Sequence, residues 1–215
     1  AGAEVHEGCE VIGAEHAFAQ WRIATSGGTF CAPSVANCSG AWGDKVAQFL
    51  GDTISLAPNG SMQFITERLP MFVKPVVGSA SRPFSLKQFE NGTVLFGGGH
   101  RAPVFRDINR CELNSGGIAK AALSAAMLFP MLGSAHIVRV WSGIEGFTED
   151  RLPVIGHGQH EGVFHAFGFS GHGFQLGPAV GALIADVLTT GSTPVSIEAF
   201  SPARLQTFTR DLNAA

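Results

Sequence analysis

Residues 166–188, AFGFSGHGFQLGPAVGALIADVL, carry the clearest pattern for binding chemistry. An apolar run is followed by a glycine-rich stretch and then by an amphipathic run. This order predicts a strand, a loop with an exposed backbone and a helix from about Pro178 to Leu188. The N–H groups of such a loop approach a ligand closely, and the helix N-terminus adds partial positive charge. The segment suits an anionic or electron-rich cofactor, unless its glycines only allow a tight turn.

A second set of polar residues is predicted near strand ends. His100 and Arg101 follow a predicted strand that ends in three glycines, and Glu145 lies in WSGIEGF. Trp141 and Arg139 are two residues apart, so a regular strand directs both to one face. The alternative interpretations are that Arg101 is an ordinary surface residue, that Glu145 is a solvated loop acid and that Trp141 is a buried core residue. The histidines lack the spacing of a metal site, so we expect none.

Composition narrows the class of protein. The 215 residues are 45% apolar and 14% charged, with 28 glycines and a formal net charge of −3. This balance gives no basic surface for nucleic acid, and the sequence has no membrane-spanning apolar run. Residues 1–11 lack the basic and apolar regions of a signal peptide, so we expect none, and the 215 residues contain no tyrosine. Because the spacing of Cys9, Cys31, Cys38 and Cys111 fits no zinc site, we expect reduced, mostly buried thiols in a cytoplasmic protein.

The predicted elements group into two parts. The strands are expected near Val5, at 11–12, 20–24, 29–31, 34–37, 62–69, 71–78, 82–90, 93–99, 138–144, 152–155 and 163–167, and the helices at 40–50, 118–128, 178–188 and 202–213. Asn91-Gly92 predicts a hairpin with a type I′ turn. We expect an α/β or α+β fold. Residues 1–60 and 151–215 form one α/β layer, and residues 61–150 form a mostly antiparallel sheet with one helix.

Two segments together resemble the C-terminal part of the D-amino-acid-oxidase-like flavoproteins. They are VRVWSGIEGFTEDRLPVIG (138–156) and VFHAFGFSGHGFQLGPAVGALIADVL (163–188). Residues 1–11 and SVANCSGAWGDKVAQFLG (34–51) agree with the same family, which includes glycine oxidase, the sarcosine oxidases, D-amino acid dehydrogenase and opine or proline dehydrogenase subunits. The resemblance implies a partial FAD-binding domain (1–60 and 151–215) and a substrate domain with an antiparallel sheet (61–150).

The resemblance also implies site residues. The expected FAD contacts are Val11, Ser39, Gly40, Gly168, Phe169, Ser170, Gly171, His172, Gly173, Phe174 and Gln175. The expected substrate contacts are His100, Arg101, Glu145 and Trp141, while no catalytic residue is assigned. Relatives that oxidise small amino acids often hold the substrate carboxylate with two arginines, but Glu145 and Gly171 stand at those positions here. Arg101 is then the candidate for the carboxylate, and Glu145 for an amine or guanidinium group.

The family's dinucleotide-binding glycines, G-x-G-x-x-G, have no counterpart in these residues. We therefore expect a fragment of an FAD-dependent oxidoreductase that oxidises the C–N bond of an amino acid or opine-like secondary amine. Without the dinucleotide-binding segment, we expect the fragment to expose an apolar face. We also expect it to form a homodimer or to bind a partner that supplies the missing half. The alternative is an FAD-free structural or interaction module. We expect the purified chain to be colourless because the pyrophosphate-binding turn is absent.

Overall fold

The computed structural model describes residues 2–205, which divide into two compact units. The first unit contains the chain up to Ala57 and from Gly146 onward, and the second contains Pro58–Glu145. The sequence-based boundaries were residues 60 and 151. The cofactor and substrate roles expected of the two parts stay predictions.

The regular elements are as follows. The strands are β1 Val11–Ala17, β2 Gln20–Thr25, β3 Gly28–Ala32, β4 Val35–Asn37, β5 Ala57–Arg68, β6 Val77–Gly78, β7 Ser85–Gln88, β8 Thr93–Ala102, β9 Val104–Phe105, β10 Arg110–Cys111, β11 Ile137–Phe147, β12 Val154–His157 and β13 Val163–Phe167. The α-helices are α1 Gly43–Phe49, α2 Ser115–Leu128 and α3 Gly173–Thr190, and short 3-10 helices span Gly40–Trp42, Arg106–Ile108, Pro130–Ser134 and Glu198–Phe200.

In the first unit, the central strand β13 is buried along its whole length. It pairs antiparallel with β12 and parallel with β4, and a separate antiparallel meander contains β1, β2 and β3. A strand covered on both faces reads as a continuous apolar run, which explains VFHAF. Phe167 packs in a core cluster with Ala47 of α1, while Phe164 packs with Val180 and Val187 of α3.

In the second unit, a five-stranded sheet has the order β11-β5-β8-β7-β6. Alternate residues of β5, including Met62 and Phe64, are buried in one core cluster with Ala121 and Ala125 of α2. The intervening residues, such as Ser61, project from the opposite face because the side-chain period of a strand is two. This pattern leaves one face of the sheet free for polar residues.

The strand predicted at 71–78 is wrong except for Val77–Gly78, which form β6. The N–H groups of Phe72 and Val73 instead donate to the side-chain oxygen Oε1 of Gln88, at 2.9 and 3.3 Å. Pro75, which has no N–H, interrupts any ladder through this segment. The strand expected near Val5 is also absent from the described residues.

The hairpin predicted at Asn91-Gly92 is confirmed, but its type I′ turn is wrong. Only Gly92 has a positive φ, of +90°, and its N–H donates to the Phe89 carbonyl at 2.9 Å. The loop is one residue longer because the pair that closes it is Phe89 with Thr93. Asn91 Oδ1 accepts from the Thr93 N–H at 3.0 Å, a local bond that stabilises this turn.

Two helices begin earlier than the sequence predicted. Helix α2 begins at Ser115 because Asn114 Oδ1 accepts from the Gly117 N–H at 3.2 Å and caps it. Helix α3 begins at Gly173, so Pro178 lies within the helix rather than at its start. The helix predicted at 202–213 falls largely outside the described residues.

The cysteines differ from expectation, because none is buried. All four are free thiols; Cys31 and Cys38 are exposed, and Cys9 and Cys111 are partly buried.

Along the part of the chain that is described, none of the helices combines the length and hydropathy of a membrane span.

Candidate functional site

The glycine-rich segment of the first unit is a turn with a run of positive φ angles. These are +68° at Gly168, +51° at Ser170 and +92° at Gly171. A Cβ on Gly168 would lie 3.0 Å from side-chain carbons of Leu56 and Thr148. Glycine is therefore required at 168 both by the backbone conformation and by the space available.

The end of β11 holds this turn in place. The Ser170 N–H donates to the Gly146 carbonyl at 3.3 Å, and Phe147 forms an isolated antiparallel bridge with Phe169. The Thr148 N–H donates to Ser170 Oγ at 3.3 Å. Main-chain and hydroxyl contacts thus fix a turn whose conformation is otherwise unfavourable.

The Ser39–Gly40 turn packs against the same end of β11. A Cβ on Gly146 would lie 3.1 Å from Ala41 Cα and 3.4 Å from the Gly40 carbonyl oxygen. Gly40 has a φ of +58°, and within residues 2–205 no atom other than those of its chain neighbours lies within 4 Å of the position a Cβ would take. The structure therefore brings together two predicted cofactor segments. Sequence reasoning missed Gly146, although glycine inside a strand is a signal of close backbone approach.

Helix α3 starts directly from the glycine-rich turn. Its N-cap residue His172 makes no side-chain capping bond, and Phe174 in the first turn is 99% exposed. The first N–H groups of a helix have no intrahelical carbonyl to bind, so those of Gly173, Phe174 and Gln175 suit a ligand with negative charge. His172 borders an apolar cavity of about 340 Å³ with residues that include Leu176.

Val11 lies apart from these two turns in the structure. It begins β1, opposite Thr25, in the three-stranded meander rather than in the sheet that contains β4 and β13. Nothing in the described geometry tests its predicted FAD contact.

On the polar face of the second unit, charged groups of opposite sign stand on β8 and β11, the two strands on either side of β5. Arg101 of β8 is the register partner of Ser61 on β5, so both side chains share a face. Ser61 Oγ donates to Glu145 Oε2 of β11 at 2.5 Å. Arg101 and Glu145 therefore flank Ser61 on three successive strands. Glu145 lies in a strand, not in the loop considered as an alternative.

Trp141 is half-buried, and it precedes Glu145 by four positions on β11. Arg139 Cζ lies 5.6 Å from its ring centroid, which confirms that these two side chains share a face. At Gly143, between Trp141 and Glu145, no atom of the described residues beyond its chain neighbours lies within 4 Å of the position a Cβ would take. The strand thus leaves an open space between an aromatic ring and a carboxylate.

His100 and Arg101, both predicted substrate contacts, lie on opposite faces of the sheet. A Cβ on Gly117 of α2 would lie 3.5 Å from the His100 Cβ, so His100 packs on the helix side of the sheet. Burial, with a contribution from Lys120, lowers the pKa of His100 below its usual value. Both residues also lie inside β8, which continues past the glycines to Ala102.

Sequence reasoning missed a buried polar series in the first unit. Asn37 Nδ2 lies 3.2 Å from His165 Nδ1, and His165 Nε2 lies 3.0 Å from Asp52 Oδ2. The side chains of His165 and Asp52 are fully buried, and Asn37 is 2% exposed. The available signal was a histidine within the apolar strand VFHAF, because a buried polar side chain needs a partner. Within residues 2–205, no three His, Cys, Asp or Glu side chains are grouped to hold a metal ion.

Comparison with known proteins identifies the class of protein to which this architecture belongs. Residues 1–187 match the DAO family model, described as FAD dependent oxidoreductase. The chain belongs to this family, whose cofactor is FAD.

Individual relatives agree with that class. The chain is 31% identical over 206 residues to glycine oxidase of Geobacillus kaustophilus, covering 95% of this chain and 53% of the relative. It is 24% identical to sarcosine oxidase subunit beta of Rhizobium meliloti, covering 97% of this chain and 49% of the relative. The crystal structure of L-proline dehydrogenase from P. horikoshii superimposes with a TM-score of 0.88 at 26% identity, covering 96% of this chain and 56% of that one. The chain thus spans about half the length of these relatives.

The residues present fit the flavin part of FAD. The backbone of Gly40 faces open space, and the first turn of α3 supplies N–H donors. These donors match the electron-rich edge of an isoalloxazine ring.

Proposed function

We propose that the chain contacts flavin and substrate in an FAD-dependent oxidoreductase that oxidises the C–N bond of an amino acid or opine-like secondary amine. The observation that carries this proposal is the packing of the Ser39–Gly40 turn and the Gly168–Gln175 segment against one strand end at Gly146. Membership of the FAD dependent oxidoreductase family, over residues 1–187, supports the same conclusion.

In this proposal, the first unit holds the flavin. FAD, when bound, accepts a hydride from the carbon beside the amine nitrogen. The N–H groups of Gly173 and Phe174 would hold the flavin by donating to its negative charge. The Ser39–Gly40 turn would contact the flavin through its backbone, because Gly40 has no side chain.

The polar face of the second unit recognises the substrate. Arg101 binds a carboxylate through its planar guanidinium group, and Glu145 accepts from a substrate ammonium or guanidinium group. Ser61 orients the Glu145 carboxylate through their hydrogen bond. Trp141 supplies an apolar wall. A substrate amine bound in its neutral form needs no side-chain base, so none is assigned.

The proposal includes assembly with a partner, either a second copy of this chain or another polypeptide. The relative named sarcosine oxidase subunit beta and the hydrogen cyanide synthase subunit HcnC of Pseudomonas aeruginosa, which is 24% identical to this chain, are both subunits by name. Their similarity supports assembly with another polypeptide.

A matched pair of variants tests the cofactor site. Phe174→Pro removes one N–H donor in the first turn of α3, where that N–H has no intrahelical carbonyl to bind, whereas Phe174→Ala keeps that donor. Flavin fluorescence titration of the chain and of the full gene product gives the FAD dissociation constant. We expect Phe174→Pro to weaken binding about tenfold relative to Phe174→Ala, as for loss of one charge-assisted hydrogen bond. Equal FAD affinity of the two variants would contradict a flavin contact at the start of α3. If neither the chain nor the full gene product takes up flavin, the FAD-free module is favoured.

A further inference from the structure

The buried series of Asn37, His165 and Asp52 has a defined geometry at every step. Asn37 and His165 are register partners on the parallel strands β4 and β13, so their side chains lie on one face of that sheet. Asp52 follows α1 closely, and its N–H donates to the Ala47 carbonyl at 2.9 Å. The series therefore connects two strands with the end of a helix.

The direction of the hydrogen bonds assigns the tautomer of His165. Asn37 Oδ1 accepts from the N–H of Ser39 at 3.2 Å, and Asn37 Nδ2 donates to the Gly43 carbonyl at 2.9 Å. These two bonds fix the orientation of the amide, so Nδ2 also donates to His165 Nδ1. His165 is then neutral, with its proton on Nε2, which donates to the Asp52 carboxylate.

The two ends of the series hold backbone segments. At one end, the Gln159 N–H donates to Asp52 Oδ1 at 3.1 Å, and a Cβ on Gly158 would lie only 2.5 Å from Asp52 Oδ2. At the other end, Asn37 Oδ1 accepts both the N–H and, at 2.6 Å, the hydroxyl group of Ser39. The buried carboxylate is thus linked to the turn at Ser39.

Burial of a carboxylate and an imidazole disfavours folding unless both are hydrogen-bonded. Apolar side chains of similar volume in place of these three residues would avoid that desolvation cost, but they would offer no acceptor to the Ser39 N–H. The polar series therefore specifies one backbone arrangement at a definite site.

We propose that Asn37, His165 and Asp52 are positioning residues that fix the Ser39–Gly40 turn, with His165 locked as the Nε2–H tautomer. That this turn then meets flavin rests on the function proposed above. The series acts through the backbone of the turn, and none of its three side chains is assigned a contact with FAD.

Nuclear magnetic resonance of the chain tests the tautomer directly. In ¹⁵N-histidine-labelled protein, the ring-nitrogen shifts of His165 distinguish a protonated Nε2 from a protonated Nδ1. A protonated Nε2 with an unprotonated Nδ1 supports the proposal. A protonated Nδ1 overturns it, because Asn37 Nδ2 would then face a second donor.

Amide hydrogen exchange at Ser39 tests the positioning. His165→Phe keeps a ring against Phe167, whose centroid lies 5.5 Å away, but removes both hydrogen bonds. We expect exchange at Ser39 to rise about fivefold or more, the effect of losing one hydrogen bond. His165→Gln keeps a donor and an acceptor and is expected to restore most of the protection. Phe64→Leu, a core substitution in the second unit, controls for general destabilisation.

Unchanged exchange at Ser39 in His165→Phe, or an equal rise in Phe64→Leu, would overturn the proposal. Where His165→Phe does not fold, the ring-nitrogen shifts of His165 in the unsubstituted chain still decide the proposal. These readouts need no FAD, so they stand even if the chain binds no flavin. Where FAD binds, we expect its affinity to fall in His165→Phe and to recover in His165→Gln, and an unchanged affinity would overturn the link to the flavin turn.

Discussion

Ser61 and Glu145 are joined across β5 and β11 by a hydrogen bond in which Ser61 Oγ donates to Glu145 Oε2 at 2.5 Å. The bond orients one carboxylate oxygen, and Arg101 stands opposite Ser61 on the next strand. A sheet face with both signs of charge suits a ligand that carries an ammonium group and a carboxylate. This relationship makes the substrate preference testable.

Glu145→Gln should lower selectivity for amines that carry a further cationic group. The substitution keeps the side-chain shape and the acceptor for Ser61 but removes the negative charge. For the flavin-loaded full gene product, we expect the ratio of kcat/KM between a cationic substrate and its neutral isostere to fall about 10- to 100-fold. Steady-state kinetics with such a matched substrate pair measures this ratio.

Glu90→Gln provides the control for charge loss, because Glu90 is exposed in the turn before β8. It should leave the ratio unchanged. A ratio that falls equally in both variants, or in neither, would show that Glu145 does not contact the cationic group.

Gly168→Ala should destabilise the first unit. A non-glycine residue at a φ of +68° costs about 1–2 kcal/mol. The added Cβ, at 3.0 Å from carbons of Leu56 and Thr148, increases that cost. Urea unfolding should therefore show a lower midpoint, with a loss of free energy of unfolding of about 1–3 kcal/mol.

Gly181→Ala is the matched control for that substitution. Gly181 lies in helix α3, and apart from the adjoining helix backbone no atom of the described part of the chain lies within 4 Å of the position a Cβ would take. We expect it to raise the free energy of unfolding by about 0.5–1 kcal/mol, since alanine favours the helix. If both variants lost similar stability, the contact at Gly168 would not be the cause.

How far the sequence predicted the structure depended on whether the interactions were local. The run VFHAF predicted β13 at its exact residues because a fully buried strand is a continuous apolar segment. The start of α3 was misplaced by five residues because Pro178 is typical of a first helical position, yet here it lies in the interior. The hydrogen bonds of Ser61 with Glu145 and of His165 with Asp52 join residues 84 and 113 positions apart. No local pattern encodes such pairs, so only the fold revealed them.

Asn114→Ala should shorten or weaken helix α2. Asn114 Oδ1 accepts from the Gly117 N–H, and alanine leaves that donor without its cap. We expect the free energy of unfolding to fall by about 1 kcal/mol. Thermal unfolding followed by circular dichroism measures the change, and Asn114→Ser or Asn114→Asp, which also cap, should restore most of it. An equal loss in all three variants would assign the effect to packing instead.

Asp150 should make the stability of the first unit depend on pH. Arg204 Nε donates to Asp150 Oδ2 at 2.7 Å, and this bond lowers the pKa of Asp150 below its usual value. A carboxylate with a lowered folded-state pKa stabilises the protein above its unfolded pKa of about 3.9, and that contribution is lost as the pH falls through the folded pKa. Asp150→Asn should therefore cost up to about 1 kcal/mol at neutral pH, because the pair is partly exposed, and almost nothing in strong acid. Urea unfolding across this pH range measures the difference.

Glu149→Gln is the control, because it removes the same charge from a neighbouring exposed carboxylate without removing the arginine contact. A matching pH dependence of stability in that variant would contradict the role of the Asp150–Arg204 pair.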